Sequence, residues 1–127
     1  MASGHGLVAA RVGRATIDDE QVEHISVYQD STALPVGGPS FQHLTQVDFY
    51  LDATTLLPAA ISYNIHPDND ALVDIAVEVR FSDYRVASGT RIPFHIQRFL
   101  NGSLLLDIQL QNVSVNSGIS ASAFAIQ

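Results

Sequence analysis

At 127 residues, 46% of them hydrophobic and 15% charged, the chain suits one folded domain and is too apolar to be disordered. Thirteen acidic residues stand against six basic ones, all arginine, and the net charge of −7 disfavours nucleic acid and anionic lipid surfaces as partners. With no cysteine, disulfides and thiolate metal sites are excluded, and no apolar run is long enough for a helical membrane span.

From its start the chain reads as strand after strand. Leu7 to Val12 and Ala15 to Ile17 are short candidates ending at the acidic turn Asp18-Asp19-Glu20. Gln21 to Gln29 follows, with Ile25 and Val27 on one side and His24, Ser26 and Tyr28 on the other. Residues 30–40 hold two prolines and two adjacent glycines, the composition of a binding or gating loop or of a hairpin tip. Val47, Phe49 and Leu51 then alternate with Asp48 and Tyr50, and Asp52 to Pro58 turns the chain. Ala59, Ile61, Tyr63 and Ile65 alternate with Ala60, Ser62, Asn64 and His66.

The clearest pattern runs from Val73 to Phe94. Val73, Ile75, Val77, Val79 and Phe81 share one face, and Asp83, Ser88-Gly89 and Pro93 punctuate the return into a second alternating run. Matching apolar faces predicts Val47 opposite Tyr63, Phe49 opposite Ile61, Tyr63 opposite Ile75 and Ile61 opposite Val77. In the last hairpin, a plain two-residue Asn101-Gly102 turn would put Ile92, Phe94 and Ile96 on the face opposite Leu106, Ile108 and Leu110. Burial therefore predicts an odd loop or a bulge that sets Ile96 opposite Ile108 and Phe94 opposite Leu110. After Leu110 the phase changes to Val113 and Val115, a second bulge or the exit of the strand. No segment has sustained helical spacing, although residues 116–124 allow a short helical turn. The expectation is an all-β antiparallel meander of seven or eight strands, a strongly curved sheet in one domain over 1–127, without substantial helices.

Arg80-Phe81-Ser82-Asp83-Tyr84-Arg85, Gly89, Ile92-Pro93, the run from Val113 to Ile119, and Phe124 resemble the C-terminal part of the LolA/LolB and LppX-like group of bacterial lipoprotein carriers. The resemblance extends from Gln21 to the end, through Glu23-His24-Ile25, Phe49 to Asp52 and Leu57-Pro58. It implies a half-barrel whose concave apolar face takes acyl chains under a lid of helices. No lid helix is legible here, so the chain reads as part of a larger envelope protein or as a sheet covered by a second copy. The residues that would line such a face are Phe49, Leu51, Ile61, Tyr63, Ile75, Val77, Phe81, Phe94, Ile96 and Ile108. In an ordinary sandwich or barrel the same residues are simply core. The implied partner is a lipid or other hydrophobic small molecule, or a second copy in a homodimer. The implied location is the periplasm or outside the cell, with a signal peptide removed.

Polar residues suggest no catalytic constellation. Five histidines, His5, His24, His43, His66 and His95, include no pair at ligand spacing, and His24, His66 and His95 fall on the face away from the apolar one. Asp68, Asp70 and Asp74 lack the glycine and distal glutamate of a calcium loop. Asp83 with Arg85 reads as turn chemistry, and no Gly-x-Ser-x-Gly elbow occurs. The expectation is a non-enzyme with no cofactor and no metal, a metal-dependent enzyme ranking last.

Overall fold

The computed structural model describes residues 6–29, 43–67, 69–70 and 72–114. The loop expected over 30–40 and the turn expected over 116–124 lie outside them. Seven strands follow in chain order: β1 (Leu7–Ile17), β2 (Glu20–Gln29), β3 (Val47–Asp52), β4 (Pro58–Ile65), β5 (Ile75–Ala87), β6 (Thr90–Leu100) and β7 (Ser103–Gln109). Each pairs antiparallel with the next, so the sheet is an open, curved meander with β1 and β7 as its edges. Among the described residues the only helical structure is one turn over 43–45.

Three of the hairpins close with two-residue turns whose central residues both have positive φ: Asp18 and Asp19 (49° and 68°), Ser88 and Gly89 (52° and 78°), and Asn101 and Gly102 (48° and 82°). That backbone matches the right-handed twist of the flanking strands, and short polar residues or glycine tolerate it best. The β3–β4 connection is longer. Asp52 Oδ1 accepts from the backbone N–H groups of Thr54 and Thr55, each at 2.8 Å, and the chain turns through Leu56 at φ 62°.

The β6–β7 hairpin resolves the conflict seen in the sequence with the bulge. The tight turn is kept, Leu100 opposite Ser103, and the register shifts between Arg98 and Phe99, so that Ile96 faces Ile108. The Leu110 N–H donates to the Phe94 carbonyl at 2.8 Å, continuing that register. Turn preference and burial are both satisfied because one extra residue in β7 reverses its phase. The strand then leaves the sheet after Gln109.

Two expectations need correction. Val47 does face Tyr63 and Phe49 does face Ile61, but Tyr63 lies opposite Val77 and Ile61 opposite Val79, two residues from the predicted register. A two-residue slip keeps every apolar side chain on its face, so face matching alone cannot detect it. The real register begins with Ile65 opposite Ile75, and Val73 stays outside the strand and exposed. Asp83 is likewise no turn residue. It lies within β5 at φ 54°, and the strand continues to Ala87. Pro93 is the fourth residue of β6, paired with Tyr84 of β5, and does not open the strand.

Alternation gives the sheet one apolar and one largely polar face. The buried set is small: Val22, Ala60, Val77 and Phe94, with Ser26 as the buried polar residue among those described. The sheet also coils. Arg80 of β5 reaches Asp18 at the β1–β2 tip, 3.1 Å away, although β3 and β4 lie between the two hairpins in the sheet. The hairpin tip thus crosses over the polar face, as expected from twist accumulated over several strands.

Candidate functional site

All ten residues expected to line the apolar face share it. Tyr63 faces Val77, Phe81 faces Ile96, and Ile96 faces Ile108; Phe49 faces Ile61, Ile75 faces Ile65, and Leu51 meets Pro58 across a bulge. Phe94 occurs on the same face, 7% exposed, with the Arg85 guanidinium 4.9 Å from its ring centre. Val77 and Phe94 are buried, Ile108 is exposed, and the other seven are half-buried, so the described sheet leaves much of this face open.

Two polar features interrupt the face. At the β1 edge, Glu23 lies between Arg11 and Arg14, with Arg11 Nε donating at 2.9 Å and Arg14 Nε at 3.1 Å. The Arg11 hydrogen bond, helped by Arg14 and by both charges, outweighs desolvation and holds the Glu23 carboxyl below its usual range. A group whose pKa is depressed on folding contributes stability above its unfolded value, and that contribution is lost as pH falls through the folded value. Asp52, lowered by the backbone N–H groups of Thr55 and Thr54, acts in the same sense. The urea midpoint is therefore expected to fall on acidification below the ordinary carboxylate range, and Glu23→Gln to show a shallower fall. An unchanged pH slope in the variant would show that the pair contributes nothing.

The second feature is Arg98, opposite Val79 on one side and Leu106 on the other. Its Nε is buried without a hydrogen-bond partner. Buried arginine nitrogens normally find acceptors, and leaving one unpaired costs about 1–3 kcal/mol.

Two adjoining cavities lie at the corner where β4 begins. One, of about 340 Å³, lies between the β1–β2 tip and the sheet and is lined by Asp18, Asp52, Leu57, Pro58, Arg80, Tyr84 and Arg91 among others. The other, of about 280 Å³, is lined by Leu57, Pro58, Ile61, Phe81, Tyr84, Arg91 and Pro93. The Tyr84 hydroxyl donates to the Pro58 carbonyl and ties the two walls together. Burial raises the pKa of that phenol. Only Ile61 and Phe81 of the expected ligand set reach the smaller cavity. Leu57, Pro58, Tyr84 and Arg91 were legible in the sequence only as turn and strand residues.

Histidine–carboxylate contacts run along the polar side. His24 Nε2 lies 3.0 Å from Asp48 Oδ1, and its ring stacks on Tyr50 at 4.4 Å. Ser82 Oγ lies 3.2 Å from His95 Nδ1, and His95 Nε2 lies 2.7 Å from Asp107 Oδ1. Serine, histidine and aspartate in sequence suggest a hydrolytic triad, but here they are cross-strand neighbours in a regular ladder. Asp83 and Arg85 pair with each other at 2.8 Å. Asp70 caps the Leu72 N–H at 3.0 Å, whereas Asp74 meets His43 and His66; Asp68 lies outside the described residues.

No protein-family model and no curated protein sequence matches the chain. A solved structure does match: a domain named for outer membrane lipoprotein sorting, from Vibrio parahaemolyticus, superposes with a TM-score of 0.59 at 8% sequence identity, over 91% of this chain and 45% of that one. The chain shares its fold with the matched part of that domain. The chain spans about half the length of the structure it matches, and at so low an identity the likeness concerns the fold alone. No helix among the described residues is long and apolar enough to cross a membrane, a statement that leaves strands aside.

Within this fold, the apolar stripe was readable from period-2 spacing. The His43–His66–Asp74 meeting was not. Extending the observed β4–β5 register by one step puts His66 opposite Asp74, whereas the predicted register puts it opposite Leu72. The two-residue slip that spared the apolar face concealed the cluster.

Proposed function

We propose that this chain is a non-catalytic, lipid-binding module of the bacterial envelope, placed in the periplasm or outside the cell. An acyl chain lies along the apolar face over Phe49, Ile61, Phe81 and Ile96, and Arg98 meets its anionic head. The observation that carries this reading is half-buried Arg98, set between Val79 and Leu106 on the largely apolar face with its Nε unpaired. A purely structural core has no use for it, whereas an amphipathic anion supplies both the apolar body and the acceptor. Each methylene covered contributes about 0.8 kcal/mol, so a long chain supplies ample affinity without any reactive group. The lipoprotein-sorting likeness of the fold supports the same class of ligand.

A second reading, a homodimer that closes the apolar face with a second copy, is favoured by β7. Every residue of that edge strand is exposed, Leu105 at 61%, and the strand carries no lysine or proline to discourage pairing. Native mass spectrometry of the delipidated chain mixed with a long-chain fatty acid separates the two. Lipid binding predicts a one-to-one adduct on the monomer that Phe49→Glu abolishes. A ligand-free dimer that survives salt and excludes the fatty acid would replace the first reading with the second.

A further inference from the structure

We propose that His43, His66 and Asp74 form a binding site for a divalent transition-metal ion of the zinc class, apart from the apolar face. The three residues come from three segments: the helical turn before β3, the residue after β4, and the residue before β5. His43 Nε2 lies 3.0 and 3.1 Å from the two oxygens of Asp74, and His66 Nδ1 lies 3.2 Å from Asp74 Oδ1. The two imidazole rings meet edge to face, 5.6 Å between centres. One donor atom from each residue lies within 4.8 Å of the other two. Donors bound at 2.0–2.1 Å around a tetrahedral ion are about 3.3 Å apart, so small side-chain adjustments bring all three onto one ion.

The chemistry of the donors selects the class. Two imidazoles and one carboxylate suit zinc, copper, nickel or iron, while the oxygen-rich shells preferred by calcium and magnesium are absent from this trio. With no thiol anywhere in the chain, no softer site competes. Three protein donors leave coordination positions for water, as in open zinc sites.

His66 is the most enclosed of the three. Its side chain is only 12% exposed, and Nδ1 lies 3.0 Å from the Val73 carbonyl. Its Nε2 is buried with no hydrogen-bond partner. Nδ1 faces both that carbonyl and Asp74, so with the ring proton on the buried Nε2 its lone pair is available to an ion beside Asp74. His43 and Asp74 are 48% and 43% exposed, so the site is open to an ion from solvent.

A metal here would clamp the entry to β3 against the β4–β5 connection. The test is isothermal titration of the chelator-treated full chain with zinc chloride. One equivalent is expected to bind, with affinity lowered roughly 10–100-fold by His43→Ala and by Asp74→Asn. His5→Ala, His24→Ala and His95→Ala are expected to leave it unchanged. Titration with cobalt(II) is expected to give visible absorption bands that His43→Ala removes. Thermal unfolding without metal checks that the variants are folded, and saturating zinc should raise the melting temperature of the parent chain by about 5–10 °C at a hundredfold excess over Kd. Zinc binding that is absent from the parent, or equally tight in folded His43→Ala and Asp74→Asn, would overturn the site.

Discussion

Arg98→Met is expected to make the protein more stable and a poorer binder. In the free protein the guanidinium Nε is buried without an acceptor between Val79 and Leu106. Methionine keeps an apolar stem and removes that desolvated donor, a gain of about 1–2 kcal/mol in unfolding free energy read by urea denaturation. The same change removes the charge-assisted hydrogen bond to a bound anionic head, so fatty-acid affinity should drop roughly 10–100-fold. A fatty alcohol of equal length should bind parent and variant alike. If fatty-acid affinity is untouched, Arg98 is not part of the ligand site. If stability falls instead, the guanidinium makes a stabilising contact that the thioether does not replace.

Phe94→Ala is expected to destabilise the fold by about 3–5 kcal/mol, a large share of the stability of a small domain. Phe94 is among the few buried side chains described, and it lies beneath Arg85, which is also paired with Asp83. Truncation removes the ring's transfer energy, opens a cavity, and leaves Arg85 without its aromatic partner. Chemical denaturation checks this, with Val86→Ala as control. Val86 is well exposed, and its truncation should shift stability by less than about 0.5 kcal/mol. A loss at Phe94 no larger than at Val86 would mean that the apolar face contributes little to holding the sheet together.

The contrast between these residues explains how much could be read without coordinates. Phe94 was legible from its place in an alternating run, and so was its face. Its degree of burial was not, because that depends on the coil of the sheet and on Arg85. Arg98 was visible only as an interruption of the apolar run. That its Nε is buried follows from the bulge beside it, which aligns Leu106 with it. The cavity under the β1–β2 tip needed that tip to cross over the sheet, and no local pattern encodes that crossing.

Sequence by itself determined the all-strand meander, its alternation and the existence of one continuous apolar face, while reading β1 as two pieces and Asp83 as a turn. Those features have a period of two residues and depend on near neighbours, so they survive any register that preserves parity. Tertiary structure alone decided the register of β4 against β5, the coil that carries Asp18 to Arg80, and the meeting of His43, His66 and Asp74. Register and coil are set by turns and packing summed over many strands, and a shift of two residues leaves every face unchanged while replacing every partner.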